Sequence, residues 1–356
     1  MLRGTPARRL CAPVRAQRWT AALVIGMALA CLATACGDPA STPASMLNTA
    51  GPGANRVEHL WWLLFGISTA VFLFVAALIA AAIVRRRRPS AGDPSTDPGA
   101  EEVPRWGERF ILVGGVVVPV LILSATFVLT LHEMSALAKP MRTTRLSVRV
   151  VGHLWWWEAR YPNGAVTANE IHIPVGEPVR VELTTADVIH SFWVPELQTK
   201  IDQIPGHTNE LWLQADKQGR YRGQCSQFCG LQHAHMIFFV VADPPALFQA
   251  WESGQAAPAA APMSPAAAGG LAVFTSNTCA GCHAIRGTSA AATVGPDLTH
   301  VAGRATIASG TIDNTPANLA HWITDPQEVK PGAIMPPTQL SPTDLRNLVA
   351  YLQSLH

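Results

Sequence analysis

Residues 225–236 read Cys-Ser-Gln-Phe-Cys-Gly-Leu-Gln-His-Ala-His-Met, and this stretch decides how the centre of the chain is interpreted. It carries two thiols, two imidazoles and a thioether, and a further histidine, His190, lies upstream in His-Ser-Phe-Trp-Val-Pro. Such ligands favour copper over magnesium or calcium. One thiolate with two imidazoles and a weak thioether is typical of a mononuclear site, whereas a second thiolate allows two sulfur atoms to bridge two metals. The stretch therefore predicts a dinuclear copper site.

The candidate copper ligands are two thiols, two imidazoles and a thioether: His190, Cys225, Cys229, His233 and Met236. The alternative is a Cys225–Cys229 disulfide, because disulfides persist in an oxidising compartment. The three additional ligands at these spacings favour copper. His235 is adjacent to Met236 and is expected to point away from the metal.

The region around this loop has the pattern of β-strands. Apolar residues occupy every second position over 146–150 and again over 179–183, with polar or charged residues between them. Residues 236–241 form a continuous apolar run. Short strands separated by Gly and Pro turns predict an all-β Greek-key barrel or sandwich over residues 141–243.

The pentapeptide Cys-Ala-Gly-Cys-His at 279–283 is the attachment pattern of a c-type haem. Cys279 and Cys282 would form thioethers with the haem, and His283 would be the axial ligand on one side. Met335, in Gly-Ala-Ile-Met-Pro-Pro, is the predicted ligand on the other side, and a thioether there raises the haem potential. The alternatives are three other potential ligands: His300, His321 and Met263.

The last part of the chain, residues 270–356, is predicted to be helical. Ser341-Pro342-Thr343-Asp344 combines an N-cap hydroxyl, a proline in the first turn and a carboxylate that reaches back, and it predicts the start of the final helix. A short helix is expected over 245–252. Residues 254–269 contain little but Ala, Pro, Gly and Ser, and are predicted to be a flexible linker with a mean reach of about 20–25 Å.

The N-terminal third has the pattern of an exported membrane protein. Basic residues and a short apolar run over 1–36 predict a signal peptide, and Cys36 is a candidate for lipidation. Two long apolar runs, 60–84 and 110–131, predict a transmembrane helix hairpin within 55–135. Four arginines at 85–88 place the loop of the hairpin on the cytoplasmic side. The N-terminus and everything after residue 132 are then outside.

The composition agrees with this interpretation and excludes nucleic-acid binding. Of the 356 residues, 49% are hydrophobic and only 14% are charged, which is low for a soluble protein. The net charge of +2 is too small for a nucleic-acid-binding protein, and no basic stripe interleaved with aromatic residues is present in the sequence.

The copper loop, the His-Ser-Phe-Trp-Val-Pro segment and the hairpin together resemble cytochrome c oxidase subunit II, over residues 55–250. The resemblance implies a dinuclear CuA centre on a cupredoxin barrel, with the backbone carbonyl of Gln227 as a sixth ligand. Many family members carry Glu at the position of Gln227, where the side chain helps to bind magnesium. The resemblance also implies Trp155 as the residue through which electrons reach the copper, while Trp157 is expected in the core.

Residues 270–356 resemble a class I cytochrome c. The two resemblances together imply a multidomain chain with a transmembrane hairpin, a cupredoxin-like barrel and an all-α cytochrome c domain. Such a chain would pass electrons through covalent haem c and CuA to oxidase subunit I, which reduces oxygen to water. The expected partners are other oxidase subunits, a cytochrome c or bc1-type donor and membrane lipid, at a bacterial plasma membrane. The alternatives are a CuA subunit of a nitric oxide reductase and a stand-alone membrane-anchored redox carrier.

Overall fold

The structure is a computed structural model that describes residues 44–86, 105–138 and 144–356. The predicted signal peptide over 1–36, Cys36 and the arginines at 87 and 88 lie outside the described residues.

Two long apolar helices precede the folded domains. Helix α1 covers Pro52–Arg86 and helix α2 covers Arg105–Leu137, and both are long and apolar enough to cross a membrane. Both exceed the predicted runs of 60–84 and 110–131. Helix α2 contains one π turn, Val113–Val117. This turn directly precedes Pro119, whose ring has no N–H for the regular helical hydrogen bond.

The start of helix α1 and the end of helix α2 contact the β domain, which explains why the helices extend beyond the apolar runs. The Ala54 amide donates to the Leu197 carbonyl at 3.0 Å, and the Trp212 indole donates to the Leu137 carbonyl at 2.6 Å. Between the helices, Arg56 and Glu133 form an ion pair at 3.2 Å. The hairpin and the β domain are therefore joined by direct contacts.

The β domain consists of two five-stranded sheets packed face to face. The first has the order β3-β2-β1-β5-β8 and the second the order β4-β10-β9-β6-β7. The strands are β1 Leu146–His153, β2 Trp156–Arg160, β3 Val166–Ala168, β4 Glu170–Pro174, β5 Val179–Thr185, β6 His190–Trp193, β7 Ile201–Gln203, β8 Asn209–Leu213, β9 Gly219–Cys225 and β10 Ile237–Asp243. The pairs β1–β5 and β4–β10 are parallel and the other pairs are antiparallel. This is the predicted all-β, cupredoxin-like architecture.

The core of the β domain is built from the alternating apolar positions of both sheets. Val148, Val150 and the apolar residues of β5 are fully buried, as their period of two predicts. Trp157 is also fully buried, with its ring against Phe192 and Phe238. The expectation that Trp157 belongs to the core is confirmed.

The segment predicted as a flexible linker is shorter and more ordered than expected. Helix α3 covers Pro245–Ala256, and helix α4, Pro265–Ser276, begins within the predicted linker. Ser264 caps helix α4, because its hydroxyl accepts from the Ala267 amide at 3.1 Å. Only residues 257–264 lie between the helices, and residues 254–269 are therefore not one flexible tether.

The C-terminal region is helical around a small two-stranded ribbon. It contains α4, the ribbon strands β11 Thr306–Ile307 and β12 Ile312–Asp313, and helices α5 Pro316–Thr324, α6 Pro326–Val329 and α7 Pro342–Leu352. Ser341 caps α7 as predicted, since its hydroxyl accepts from the Asp344 amide at 3.1 Å. Helices α4 and α7 cross so closely at Gly270 that a Cβ there would lie 2.1 Å from the Asn347 carbonyl oxygen.

Candidate copper and haem sites

The copper loop lies between two neighbouring strands of the second sheet. His190 is the first residue of β6 and Cys225 the last of β9, and the pairing of these strands brings the two residues together. The loop turns back through a short 3-10 helix, His233–His235, into β10. The Cys225 amide closes the loop by donating to the Met236 carbonyl at 3.1 Å.

All five predicted side-chain ligands meet at this loop. The two sulfur atoms Cys225 Sγ and Cys229 Sγ are 3.8 Å apart. His190 Nδ1 lies 3.9 Å from Cys225 Sγ, while His233 Nδ1 lies 3.6 Å from Cys229 Sγ. Two weaker ligands complete the cluster, because Gln227 O lies 3.2 Å from Cys225 Sγ and Met236 Sδ lies 3.8 Å from Cys229 Sγ.

The geometry fits a bridged pair of copper ions better than a disulfide. A disulfide requires sulfur atoms about 2.05 Å apart, whereas here both thiols are free and buried. Each sulfur atom lies near one imidazole and one weak ligand, so the ligand set has two similar halves. His235 is exposed, and its Nδ1 pairs with Gln232 Oε1 at 2.8 Å instead of joining the cluster.

Asp187 orients His190, a role that the sequence analysis missed. Its carboxylate lies 2.8 Å from His190 Nε2, which leaves Nδ1 directed to the sulfur atoms. Burial lowers the pKa of His190, but hydrogen bonds with Asp187 and Cys225 outweigh burial and raise it. The pKa of Cys225 is lowered chiefly by its hydrogen bond with Cys229, against the opposing effect of burial. The thiolate, which is the metal-binding form of cysteine, is thus favoured at Cys225.

The haem-attachment pattern lies on a 3-10 helix, Thr278–Gly281, directly after helix α4. His283 Nδ1 donates to the Pro296 carbonyl at 2.8 Å, which leaves Nε2 as the ligand atom. Burial lowers the pKa of His283 and so favours the neutral imidazole that binds a metal. Gly295 touches the ring, because a Cβ there would lie 2.6 Å from His283 Cε1.

The four predicted haem residues line one cavity, with apolar walls formed by helices α4, α5 and α7. They are Cys279, Cys282, His283 and Met335. The alternative ligands are placed elsewhere. Both ring nitrogens of His300 are paired with the carbonyls of His356 and Ala257, at 2.7 and 3.0 Å, and His321 pairs with Glu328. Met263 is 98% exposed in the segment after α3.

Arg304 is a further residue of this cavity, and the sequence analysis did not identify it. Its guanidinium is buried and donates to the Asp297 carbonyl, but its Nε has no hydrogen-bond partner among the described residues. A buried cation with a free donor fits the carboxylate of a haem propionate. One arginine in a polar stretch carries no recognisable sequence pattern, so only the fold identifies it.

Trp155 lies between the two clusters. Its half-buried indole donates to the Cys229 carbonyl at 2.8 Å, and the same side chain lines the haem cavity together with Leu154, Trp156 and Asn169 of the β domain. The indole packs against the copper loop, since a Cβ at Gly230 would lie 3.1 Å from Trp155 Cζ2.

Two clusters suited to redox metals, held by one membrane-anchored chain, are typical of an electron-transfer subunit of a respiratory complex. The family model for the periplasmic domain of cytochrome c oxidase subunit II matches residues 163–243, and the model for cytochrome c matches residues 267–356. Cytochrome c oxidase subunit 2 of Alkalihalophilus pseudofirmus is 36% identical over 318 residues, which cover 87% of this chain and 90% of the relative. The chain belongs to the cytochrome c oxidase subunit 2 family.

A second relative is similar over nearly its whole length. Cytochrome c oxidase subunit 2 of Bacillus subtilis is 29% identical over 359 residues, covering 95% of this chain and 98% of the relative. Among solved structures, the periplasmic domain of subunit II of cytochrome oxidase from Bradyrhizobium japonicum is 33% identical, with a TM-score of 0.31. It covers 32% of this chain and 95% of its own. The family implies copper and haem, association with other oxidase subunits, and a membrane anchor with a periplasmic domain.

Proposed function

We propose that this chain accepts electrons from a donor at its haem c and passes them through its copper pair to the catalytic subunit, where oxygen is reduced to water. The role of oxidase subunit follows from the family, and the order of the path is our proposal. The chain itself holds no site for oxygen chemistry within its described membrane helices. The only two histidines of these helices, His59 and His132, lie toward the ends that meet the β domain.

The copper pair would be held by the cluster on the β domain. Cys225, Cys229, His190, His233, Met236 and the Gln227 carbonyl would together hold the copper ions. When bound, a thiolate-bridged pair supplies a site that accepts and releases one electron. The loop is fixed between β9 and β10 by the Cys225–Met236 backbone bond, so the ligands move little between oxidation states. Gln227 would contribute its carbonyl only, and its side chain would not act as a carboxylate ligand for magnesium.

The haem would be held by Cys279, Cys282, His283 and Met335, with the two cysteines attached to it covalently. The Pro296 carbonyl fixes the His283 ring in the tautomer that presents Nε2. Arg304 would pair with a propionate, which would give its Nε the hydrogen-bond partner that it lacks among the described residues.

The proposed order of electron transfer, from haem to copper, rests on the position of Trp155. It is the residue that both lines the haem cavity and hydrogen-bonds, at 2.8 Å, to the backbone of a copper ligand. Because Trp155 lines the cavity that the cytochrome region forms, we infer that it receives electrons from the fused haem. An external cytochrome c or bc1-type donor would then reach the haem domain first.

We further propose that the chain crosses the membrane twice, with its N-terminus and both redox domains on the outer side. The arginines at 85–88 support this topology, because basic residues at a helix end favour the cytoplasmic side. Both ends of the hairpin that contact the β domain, at Ala54 and Leu137, would then lie at the outer surface.

The test is the purified complex in mild detergent, studied by optical and EPR spectroscopy during turnover with oxygen. We expect a mixed-valence copper signal, a low-spin haem c and a co-purifying subunit with additional haem. Cys225→Ser should remove the copper signal and leave the haem spectrum intact, and Met335→Ala should make the haem high-spin or lower its potential. A copper signal that persists in Cys225→Ser would refute the copper site. Turnover of nitric oxide without oxygen consumption would favour the nitric oxide reductase alternative, and absence of a partner subunit would favour a stand-alone carrier.

A further inference from the structure

Lys330 is a buried cation that neither predicted metal site uses. It follows helix α6 in the cytochrome region and is only 4% exposed. Its ammonium group donates to the carbonyls of Trp155 at 2.8 Å, His235 at 2.9 Å and Ala308 at 3.5 Å. The three donors of a lysine thus meet three carbonyl oxygens. Two of those carbonyls belong to the β domain and one to the cytochrome region.

These contacts join the two loops that carry predicted metal ligands. Gln232 of the copper loop donates from Nε2 to the Pro331 carbonyl at 2.5 Å. Leu231 of the copper loop packs on Gly332, where a Cβ would lie 2.9 Å from Leu231 Cδ1 and φ is +88°. Residues 330–332 are thereby fixed against the copper loop, and Met335 follows three residues later.

A second set of contacts holds the ribbon of the cytochrome region on the outer face of the second sheet. Arg220 Nη2 donates to Glu170 Oε1 at 3.1 Å and to Thr306 Oγ1 at 3.2 Å. The Ala305 amide donates to the same Glu170 oxygen at 3.0 Å, and the Ile237 amide donates to the Ser309 carbonyl at 3.3 Å.

The segment between the domains is also bound in place. Arg286 Nη1 donates to the Gly164 carbonyl at 3.1 Å and to the Ala256 carbonyl at 3.3 Å. The Ala259 amide donates to the Arg286 carbonyl at 2.9 Å. The cytochrome region is therefore held on the β domain at three places: residues 330–332, the ribbon and the segment between the domains.

An ammonium group is costly to bury, and burial lowers the pKa of Lys330 to about 7. Its three carbonyl partners are complete only when the two domains are docked. A lysine in this position favours one docked orientation, because another orientation that still buried Lys330 would leave its ammonium group without the two carbonyl partners of the β domain.

From this geometry we propose that Lys330 is a positioning residue that fixes the Met335 loop against the backbones of Trp155 and the copper loop, so that electrons pass from haem to copper in one docked orientation. The proposal rests on the proposed function. The step it supports moves one electron from the reduced haem to the oxidised copper pair, and no bond is formed or broken. Residues 257–264 then connect the two domains in a fixed arrangement and do not act as a flexible linker between them.

The test compares Lys330→Met with Lys217→Met in the complete, cofactor-loaded complex. Lys217 is an exposed lysine of the β domain, so the same substitution there is a matched control. Two quantities are measured: hydrogen exchange at the interdomain amides of Ala305 and Ile237, and the rate of electron transfer from photoreduced haem to copper. Exchange reports the undocked population directly and does not depend on turnover.

For Lys330→Met we expect exchange at these amides to rise about 10- to 100-fold, because its two hydrogen bonds across the interface are lost, at about 1 kcal/mol or more each. The haem-to-copper rate should fall about tenfold, since small displacements of reacting groups have effects of this size. Lys330→Arg keeps the charge and the donors and should recover part of both effects. Lys217→Met should change neither.

Intact haem and copper spectra with unchanged exchange and an unchanged rate would overturn the proposal. So would faster exchange with an unchanged rate, because Lys330 would then hold the domains together without positioning the centres. If Lys330→Met loses a cofactor, Arg220→Met decides by the same two criteria, since it weakens the same interface away from both ligand loops. Missing copper or haem signals in the unsubstituted complex would instead refute the proposed function.

Discussion

Gly295→Ala tests the haem site at the point where the backbone approaches the axial histidine most closely. A Cβ at residue 295 would lie 2.6 Å from His283 Cε1, 2.9 Å from Nδ1 and 3.1 Å from Nε2. Two of these three distances are shorter than Cβ contacts in proteins allow, so the imidazole ring must move. Its hydrogen bond to the Pro296 carbonyl, now 2.8 Å long, fixes its position and would be broken or stretched.

The magnitude follows from these two effects. Overpacking of a buried site costs about 1–3 kcal/mol, and loss of a hydrogen bond costs about 1 kcal/mol. We therefore expect the cytochrome region to lose about 2–4 kcal/mol of unfolding free energy. We also expect part of the haem to become high-spin, because the displaced His283 ring no longer presents Nε2 correctly.

The assay is the optical spectrum of the oxidised haem, together with denaturant unfolding followed at the haem band. Gly303→Ala is the matched control, since Gly303 lies in the same region and a Cβ there meets nothing within 4 Å. The control should keep a low-spin haem and a stability within about 0.5 kcal/mol of the unsubstituted protein. A Gly295→Ala protein with the same spectrum and stability as Gly303→Ala would refute the placement of His283 against residues 295–296.

Three further predictions concern other parts of the molecule. Asp187→Asn removes the carboxylate that orients His190, and the affinity for copper should fall about 10- to 100-fold; chelator competition measures this, and equal copper retention would contradict the role. Burial lowers the pKa of His172 despite its bond to Asp243. The unfolded chain then binds more protons below pH 6.5, so stability should decrease as pH falls, by at most about 1.4 kcal/mol per pH unit. His172→Gln should weaken this dependence in thermal unfolding, and an unchanged slope would exclude His172 as its source. Ser341→Ala removes the cap of helix α7 and should cost about 0.5–2 kcal/mol in chemical denaturation; no loss would show that the cap is energetically neutral.

The sequence predicted the parts of the structure that depend on local patterns. The period of two over 146–150 reflects one buried face of β1, and the Ser341 hydroxyl caps the helix that it was expected to start. The copper cluster could also be predicted, because four of its five side chains lie on one loop. His190 lies outside that loop, in the His-Ser-Phe-Trp-Val-Pro segment, and the pairing of β6 with β9 explains why it lies near Cys225.

The contact between the two redox domains could not be predicted, because no short stretch of sequence encodes it. The continuous apolar run of β10 is one sequence feature that indicates the contact. Phe238 and Val240 face the core, while Ile237 and Phe239 face the ribbon at Gly310, so the strand is covered on both sides. The Ala- and Pro-rich composition of residues 257–264 predicted flexibility, but Arg286 holds the adjoining carbonyls in place. In the sequence, Lys330 is one of many charged residues, and only the fold shows its hydrogen bond to the Trp155 carbonyl.

The contact between the cytochrome region and the β domain also bears on where an external electron donor would bind. The indole of Trp155 is partly covered, and the side chain of Trp156 is buried within the wall of the haem cavity. On the proposed path, a soluble electron carrier would deliver its electron to the cytochrome region, because Trp155 lines the cavity that this region forms. Fusion of the two domains thus favours the haem as the first acceptor.

The most direct test is a pulse of reductant given to the oxidised complex, with the haem and copper bands followed in time. Our account predicts that the haem is reduced first and is then reoxidised while the copper pair becomes reduced. The rate of this second phase should not depend on protein concentration, because both centres lie on one chain, and Trp155→Ala should slow it. Reduction of copper before haem, or a second phase that accelerates with protein concentration, would contradict electron transfer from haem to copper within the chain.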